Sequence, residues 1–227
     1  MADVVESKEQ VQIRYQDREL RGCTFRKLRM SGMSLVGADL TDTIFEQCDL
    51  EGIDLTSTTL RGAKFDRCDV RRAIFEKATL ARASFVDCYL TETRFGRALL
   101  EDAELARCEM DNTVFDGAYL GGCTFTPNRA YGLKLRGATL IRCRFTADKG
   151  GPELIRAQLA GATLVDCDFK GASLMRADFS RALLIKCSLS HAMLRDAVVE
   201  KLALVGCNTL GAELPAALVA GAALPVG

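Results

Sequence analysis

Tryptophan is absent from the 227 residues, and histidine occurs once, as His191. A single imidazole excludes every site built on paired histidines, whether catalytic or zinc-binding. Charge of one sign is not in excess either: thirty Lys and Arg stand against thirty Asp and Glu, so direct nucleic-acid binding is not expected. No run of eighteen apolar residues occurs, and the nearest, Leu214 to Leu224, is too short to span a bilayer. Met1 to Gln10 carries Asp3, Glu6, Lys8 and Glu9 and lacks the apolar centre of a signal peptide. A cytoplasmic protein without membrane contact is expected. GxSxG, GxGxxG, P-loop and HExxH patterns are missing too, which leaves enzyme chemistry without support in the sequence. No cofactor is implied.

Cysteine is plentiful, at ten, but no CxxC occurs and the spacings of 15 to 25 residues do not gather four thiolates. No metal site is expected. What is abundant instead is period. From Tyr15 to Phe145 every fifth residue is apolar, 27 positions in succession in a chain that is 48% apolar; chance gives on the order of 10⁻⁹ for that match. Two residues before each lies a small one: between Ala38 and Cys143, 19 of 22 such positions are Ala, Cys or Thr. Neither the 3.6-residue period of a helix nor the alternation of a strand accommodates steps of five and two. The chain must turn once every five residues.

Four such sides close a coil of twenty residues, with the large and small positions inside and the other three outside. A twenty-residue recurrence supports this: Leu20, Leu40, Leu60, Leu80, Leu100, Leu120 and Leu140 are all leucine, and Phe25, Phe45, Phe65, Phe85, Phe125 and Phe145 recur with Leu105 between them. Stacked coils bury a continuous core and pair their backbones as parallel strands do. Gly37-Ala38-Asp39-Leu40, Gly62-Ala63-Lys64-Phe65, Gly137-Ala138-Thr139-Leu140, Gly161-Ala162-Thr163-Leu164 and Gly171-Ala172-Ser173-Leu174 resemble the A(D/N)LXX signature of pentapeptide-repeat proteins. The resemblance covers about residues 13 to 214 and implies an all-β fold, a right-handed quadrilateral parallel β-helix of about ten coils.

Residues 1–12 are then a lead-in, 13–214 the β-helix, and 215–227 an apolar tail that caps the last coil or forms a homodimer, as a C-terminal segment does in related topoisomerase-binding proteins. Irregular segments are expected at 126–134 and 146–158. In the second, Phe145 and Phe169 are separated by one coil plus four residues, which reads as a four-residue insertion that leaves the sides in register. Such an insertion must project outward, where exposed loops carry recognition. All ten cysteines fall on the small inward position and are expected to act as small buried hydrophobes in a reducing compartment.

With three side chains of every five facing water, function is expected in surface charge. Residues 1–125 carry 17 bases and 22 acids, and residues 126–227 carry 13 bases and 8 acids, a difference of −5 against +5. Asp39, Asp42, Glu46, Asp49, Glu51 and Asp54 form one acidic group without an intervening base, and Glu101, Asp102, Glu104, Glu109, Asp111 and Asp116 a second with only Arg107 among them. Asp39, Asp42, Glu46, Asp49, Glu51 and Asp54 of the first group and Glu101, Asp102, Glu109 and Asp111 of the second, with Asp148 and Lys149 of the inserted loop, are the candidate partner-binding residues. The resemblance implies a protein partner, and its toxin- and quinolone-protecting branch implies DNA gyrase, engaged by mimicry of duplex DNA. Ten coils at the usual inter-strand spacing give a rod ~45 Å long, comparable with ~13 base pairs. A structural adaptor or effector-associated scaffold of a bacterial secretion system is the alternative, and it requires only rigid faces.

Overall fold

The computed structural model describes residues 3–126, 129–145 and 153–221. The chain runs through β1 (Asp3–Val5), α1 (Lys8–Asp17), β2 (Cys23–Arg26), β3 (Ile44–Glu46), β4 (Lys64–Asp66), β5 (Ser84–Val86), β6 (Leu99–Glu101), β7 (Glu104–Ala106), β8 (Tyr119–Gly121), β9 (Thr124–Thr126), β10 (Thr139–Ile141), β11 (Arg144–Phe145), β12 (Thr163–Val165), β13 (Leu183–Ile185), β14 (Ala203–Val205) and α2 (Ala216–Gly221). Between the helices it winds as a right-handed quadrilateral β-helix of about ten coils. One side is an eight-stranded parallel sheet in the order β1-β2-β3-β4-β5-β7-β9-β11, and a neighbouring side is a six-stranded one, β6-β8-β10-β12-β13-β14. The other two sides are joined coil to coil by single parallel bridges such as Asp49↔Asp69 and Asp54↔Ile74.

Each five-residue side has a fixed hydrogen-bond account, shown by Thr58 to Gly62. Thr58 N donates to Leu55 O at 3.3 Å and closes the preceding turn, while Thr59 N donates to Ala38 O one coil back at 3.0 Å. Leu60 N and Gly62 N donate one coil forward, to Thr79 O and Ala81 O at 2.7 and 2.8 Å. The amide after the large residue is left over. Where the residue before the large one is Asp, its carboxylate accepts that amide, as Asp39 Oδ1 does from Thr41 N at 3.0 Å and Asp54 Oδ1 from Thr56 N at 2.9 Å. This is a physical reason for Asp in the repeated Ala-Asp-Leu: it satisfies the donor that neither turn nor neighbouring coil takes.

Inside, like residues stack on like. Phe25, Phe45, Phe65 and Phe85 form a column of near-parallel rings 4.5 to 4.8 Å apart, the inter-strand spacing itself. Phe75, Phe95 and Phe115 form a second column, also stacked, whose rings meet the first edge-on, as Phe75 meets Phe65 at 83°. The small inward positions hold polar atoms without penalty because each finds a carbonyl: Thr43 Oγ1 donates to Leu40 O at 2.7 Å and Cys68 Sγ to Phe45 O at 3.3 Å. Nine of the cysteines form two columns, Cys48-Cys68-Cys88-Cys108 and Cys123-Cys143-Cys167-Cys187-Cys207, Cys23 stands apart in the first coil, and no disulfide joins any of the ten.

The insertion between Phe145 and Glu153 leaves the stack undisturbed. Leu140 pairs with Leu164 in β10 and β12, and Arg129 and Lys134 bridge to Glu153 and Gln158 on the two intervening sides. Asn128, placed inward by the sequence, and the loop residues Asp148 and Lys149 lie outside the described residues, whereas Ala130, Leu133 and Leu135 are buried in the stack.

The chain start differs from the expected lead-in followed by repeat at residue 13. Residues 13–17 belong to α1, and β1 adds an extra strand below β2 through Asp3↔Cys23, Val4↔Thr24 and Val5↔Phe25. Val5 and Val11 are buried, so β1 and α1 close the first coil. Tyr15, the first residue of the five-step series, lies on α1 and donates its hydroxyl to Val36 O at 2.9 Å. At the other end α2 follows Pro215, and Leu202, Leu204, Cys207 and Leu214 of the last coil are only partly buried. No helix among the described residues is long and apolar enough to cross a membrane.

Candidate functional site

The described candidate acids all stand on outward positions, but winding separates residues that are near in sequence. Asp39 lies on the side centred on Leu40, Asp42 at the next corner, Glu46 beside Phe45, Asp49 and Glu51 on either side of Leu50, and Asp54 beside Leu55. The first acidic group therefore rings one coil on all four sides and forms no stripe along the rod. Several of its carboxylates are committed locally. Asp39, Asp49 and Asp54 each accept the amide two residues on, and the Thr41 side chain, followed by the Thr41 amide, holds the Asp39 carboxyl below its ordinary range. Glu46 pairs with Arg26 at 2.6 Å, and Glu51 pairs with Arg72.

Asp49, Glu51 and Asp69 bring one carboxylate oxygen each within 4.8 Å of one another and could hold a hard cation by geometry alone. Two of the three charges are already answered. Arg71 pairs with Asp69 at 2.5 Å, and Arg72 with Glu51.

In the second group Asp111 is taken by Arg129 at 2.5 Å and also accepts from Tyr131 N, and Asp116 accepts from Arg136 N. Arg107 turns to Asp87 through two hydrogen bonds of 2.7 and 2.8 Å. Glu101, Asp102 and Glu104 are exposed and share the corner between the two sheets, and with Glu109 they enter no ion pair among the described residues. This corner brings together two of the predicted residues, Glu101 and Asp102, and adds Glu104 to them. Asp102 leans over the next coil at Gly122, where a Cβ would meet its Oδ1 at 2.3 Å, so the glycine makes room for the carboxylate.

His191 stands at a corner, its ring over Gly211, as expected of an outward residue. One surface was not read from the sequence. On the outer side of the six-stranded sheet, Leu99 stands beside the exposed Glu101 in β6, and the strands after it carry Tyr119, Thr139, Ile141, Thr163, Val165, Leu183, Ile185, Ala203 and Val205. The signal lies at steps of twenty residues, twenty-four across the insertion, at positions flanking the large inward residue.

Two family models match the chain: the pentapeptide repeat region over residues 62–135, and pentapeptide repeats (8 copies) over residues 19–56, 153–190 and 172–208. Comparison with curated proteins gives no match. Among solved structures, HetL, a pentapeptide repeat protein involved in heterocyst differentiation regulation from the cyanobacterium Nostoc sp. strain PCC 7120, is 24% identical, with a TM-score of 0.60 over 92% of this chain and 95% of that one. A trypsin-treated form of QnrB1, a plasmid-mediated fluoroquinolone resistance protein, is 21% identical, with a TM-score of 0.51 over 83% of this chain and 81% of that one. At these identities the likeness is one of fold. The models and the coil-by-coil register agree, and the chain belongs to the pentapeptide repeat family.

Proposed function

We propose that this chain is a non-catalytic protein-binding solenoid whose partner is DNA gyrase, engaged by the acidic N-terminal half as a partial mimic of duplex DNA. The observation that carries the proposal is the corner formed by Glu101, Asp102 and Glu104, an exposed acidic cluster on a rigid rod, within a half whose bases and acids differ by −5. A basic DNA-binding saddle is attracted to such a rod by the same long-range field that steers it to phosphates. The fold likeness to QnrB1, described as a fluoroquinolone resistance protein, supports the choice of partner, because quinolones act on type II topoisomerases. The mimicry is partial for a structural reason. The first acidic group rings its coil, and Arg26, Arg72 and Arg129 answer three of the candidate carboxylates.

A supercoiling assay with purified gyrase, with and without a quinolone, tests this. Addition of the chain at micromolar concentration is expected to relieve quinolone inhibition or to slow supercoiling, and the triple variant Glu101→Lys, Asp102→Lys, Glu104→Lys is expected to lose the effect. No binding and no change in supercoiling at that concentration would remove gyrase as the partner.

A further inference from the structure

The small inward site on the side of the eight-stranded sheet holds cysteine in five successive coils, Cys123, Cys143, Cys167, Cys187 and Cys207. Their spacing in sequence cannot gather four thiolates, but the winding stacks them two by two. Cys187 and Cys207 are held in register from both flanks, by Ile185↔Val205 on one and Ser188↔Asn208 on the other. Both thiols also use the same acceptor: Cys187 Sγ donates to Leu164 O at 3.5 Å and Cys207 Sγ to Leu184 O at 3.3 Å. Matching partners one coil apart require matching rotamers, so the two sulfur atoms are separated by the coil translation itself. On this side the translation is 4.6 Å, as the stacked rings of Phe145 and Phe169 show.

Two metal–thiolate bonds of ~2.3 Å placed in line span ~4.6 Å. Each Cβ–Sγ bond points into the core, across the rod axis, so an ion midway between the sulfurs meets both nearly at right angles to that bond, as thiolate ligands require. The arrangement also selects the ion. Among the described residues no third Cys, His, Asp or Glu atom joins the pair in a cluster of 4.8 Å, which leaves too few ligands for zinc or an iron–sulfur cluster. Thiolates are soft ligands, and two in line suit the closed-shell monovalent cations, of which Cu(I) is the cellular one.

We propose that Cys187 and Cys207 form a linear two-thiolate site for Cu(I). Binding moves no electrons. Two Cu–S bonds replace two S–H bonds, both protons leave to water, and the resulting bis-thiolate carries one negative charge. The hydrogen bonds to Leu164 O and Leu184 O are given up with the protons. Position along the column decides which pair is used. Cys123, Cys143, Cys167 and Cys187 are at most 1% exposed, and a charged complex formed among them would stand in the dry core at high cost. Cys207 is only partly buried, in a last coil whose Leu202, Leu204 and Leu214 are also partly covered. That end admits the ion and leaves its charge within reach of water.

Anaerobic titration of the full chain with Cu(I) supplied as its bicinchoninate complex tests this. One Cu(I) per chain is expected to pass from the dye to the protein, and X-ray absorption of the loaded chain is expected to show two sulfur neighbours. Because two protons leave, affinity is expected to rise ~100-fold per pH unit below the thiol values, against ~10-fold for a single thiol. Cys207→Ser and, separately, Cys187→Ala are expected to weaken binding at least ~100-fold, and Cys68→Ala, in the other column, to leave it unchanged. Far-UV circular dichroism with thermal melts establishes that each variant is folded. A chain that withdraws no copper from the dye overturns the proposal. Copper held as tightly by both Cys187→Ala and Cys207→Ser as by the native chain, or lost equally in Cys68→Ala, overturns it as well. Three or more sulfur neighbours, or the pH response of a single thiol, overturns the two-thiolate geometry.

Discussion

The Phe65 ring lies on the Phe45 ring with centroids 4.7 Å apart and planes 4° from parallel. Ring stacking and backbone pairing therefore share one repeat distance, so neither distorts the other. Phe65 also takes the edge of Phe75 at 5.9 Å, which ties two sides of the coil together across the core. Phe65→Ala removes a fully buried ring from a stack with no adjacent space to collapse into, and it is expected to cost ~3–5 kcal/mol. Phe65→Leu is expected to cost much less, because Leu105 already stands in the same column between Phe85 and Phe125. Chemical denaturation of the two variants checks the ordering. Equal losses would show that the columns are not the main store of stability.

Every corner among the described residues holds a residue with positive φ, and many of these are not glycine. Gly37 has φ 71° and Ser57, one coil on, has φ 57°. A side chain in this region is held against its steric preference. Space is not the issue at Gly37, where nothing lies within 4 Å of an added Cβ. Gly37→Ala is thus expected to destabilise by ~1 kcal/mol through backbone strain alone, and Ser57→Gly to stabilise by up to ~1 kcal/mol despite the added freedom of the unfolded chain. Thermal melts of both report the sign, and a destabilising Ser57→Gly would disprove the strain argument.

The coil was legible because Leu40, Leu60 and their successors recur at a step that no helix or strand allows, and Leu164 resumes the count after the insertion. The helix at the start was hidden by coincidence, since Tyr15 falls in phase with Leu20 while standing on α1. Its signature was nevertheless in the sequence: Ser7 accepts the Gln10 amide at 3.2 Å and Gln10 Oε1 accepts the Glu6 amide at 2.8 Å, a capping arrangement of Ser with Gln three residues on. The acidic site was legible only as composition. Asp39 to Asp54 are neighbours in the chain but lie on different sides of the coil, because adjacency on this surface follows the twenty-residue step. The apolar face from Tyr119 to Val205 escaped notice for the same reason, as its members never occur together in sequence.

The N-terminal segment closes the first coil chiefly through Val5 and Val11, both buried. Val11→Lys places a charge where α1 meets the core and is expected to lift the helix from the stack. The repeat below Leu20 loses its cover and presents an open strand edge, which invites association with other chains. The expected outcome is concentration-dependent aggregation with little loss of β signal in far-UV circular dichroism. If the variant instead unfolds cooperatively and completely, α1 is part of the folding unit and not a separable cap.

The cysteine column on the side of the eight-stranded sheet predicts how stability responds to alkali. The Cys123 thiol beside Cys143 and then burial push the Cys143 pKa up to about 12. Cys143 and burial do the same for Cys167, up to about 12, and Cys167 and burial raise Cys187 to about 11. Each thiol also donates to a carbonyl of the coil below, as Cys143 does to Leu120 O at 3.2 Å, and ionisation would forfeit that donor. The folded chain therefore keeps protons that the unfolded chain releases near pH ~8.5. Below that pH both states are protonated and the contribution is fully present; as pH rises, the unfolded state binds fewer protons, so stability falls and is lost through the folded values of 11 to 12. Melting temperatures measured from pH 7 to pH 11 are expected to be level to about pH 8.5 and then to decline. Replacing Cys143, Cys167 and Cys187 by alanine, which fills the same inward site at Ala63, Ala83 and Ala103, should flatten that decline. An unchanged slope in the triple variant would assign the alkaline loss to other groups.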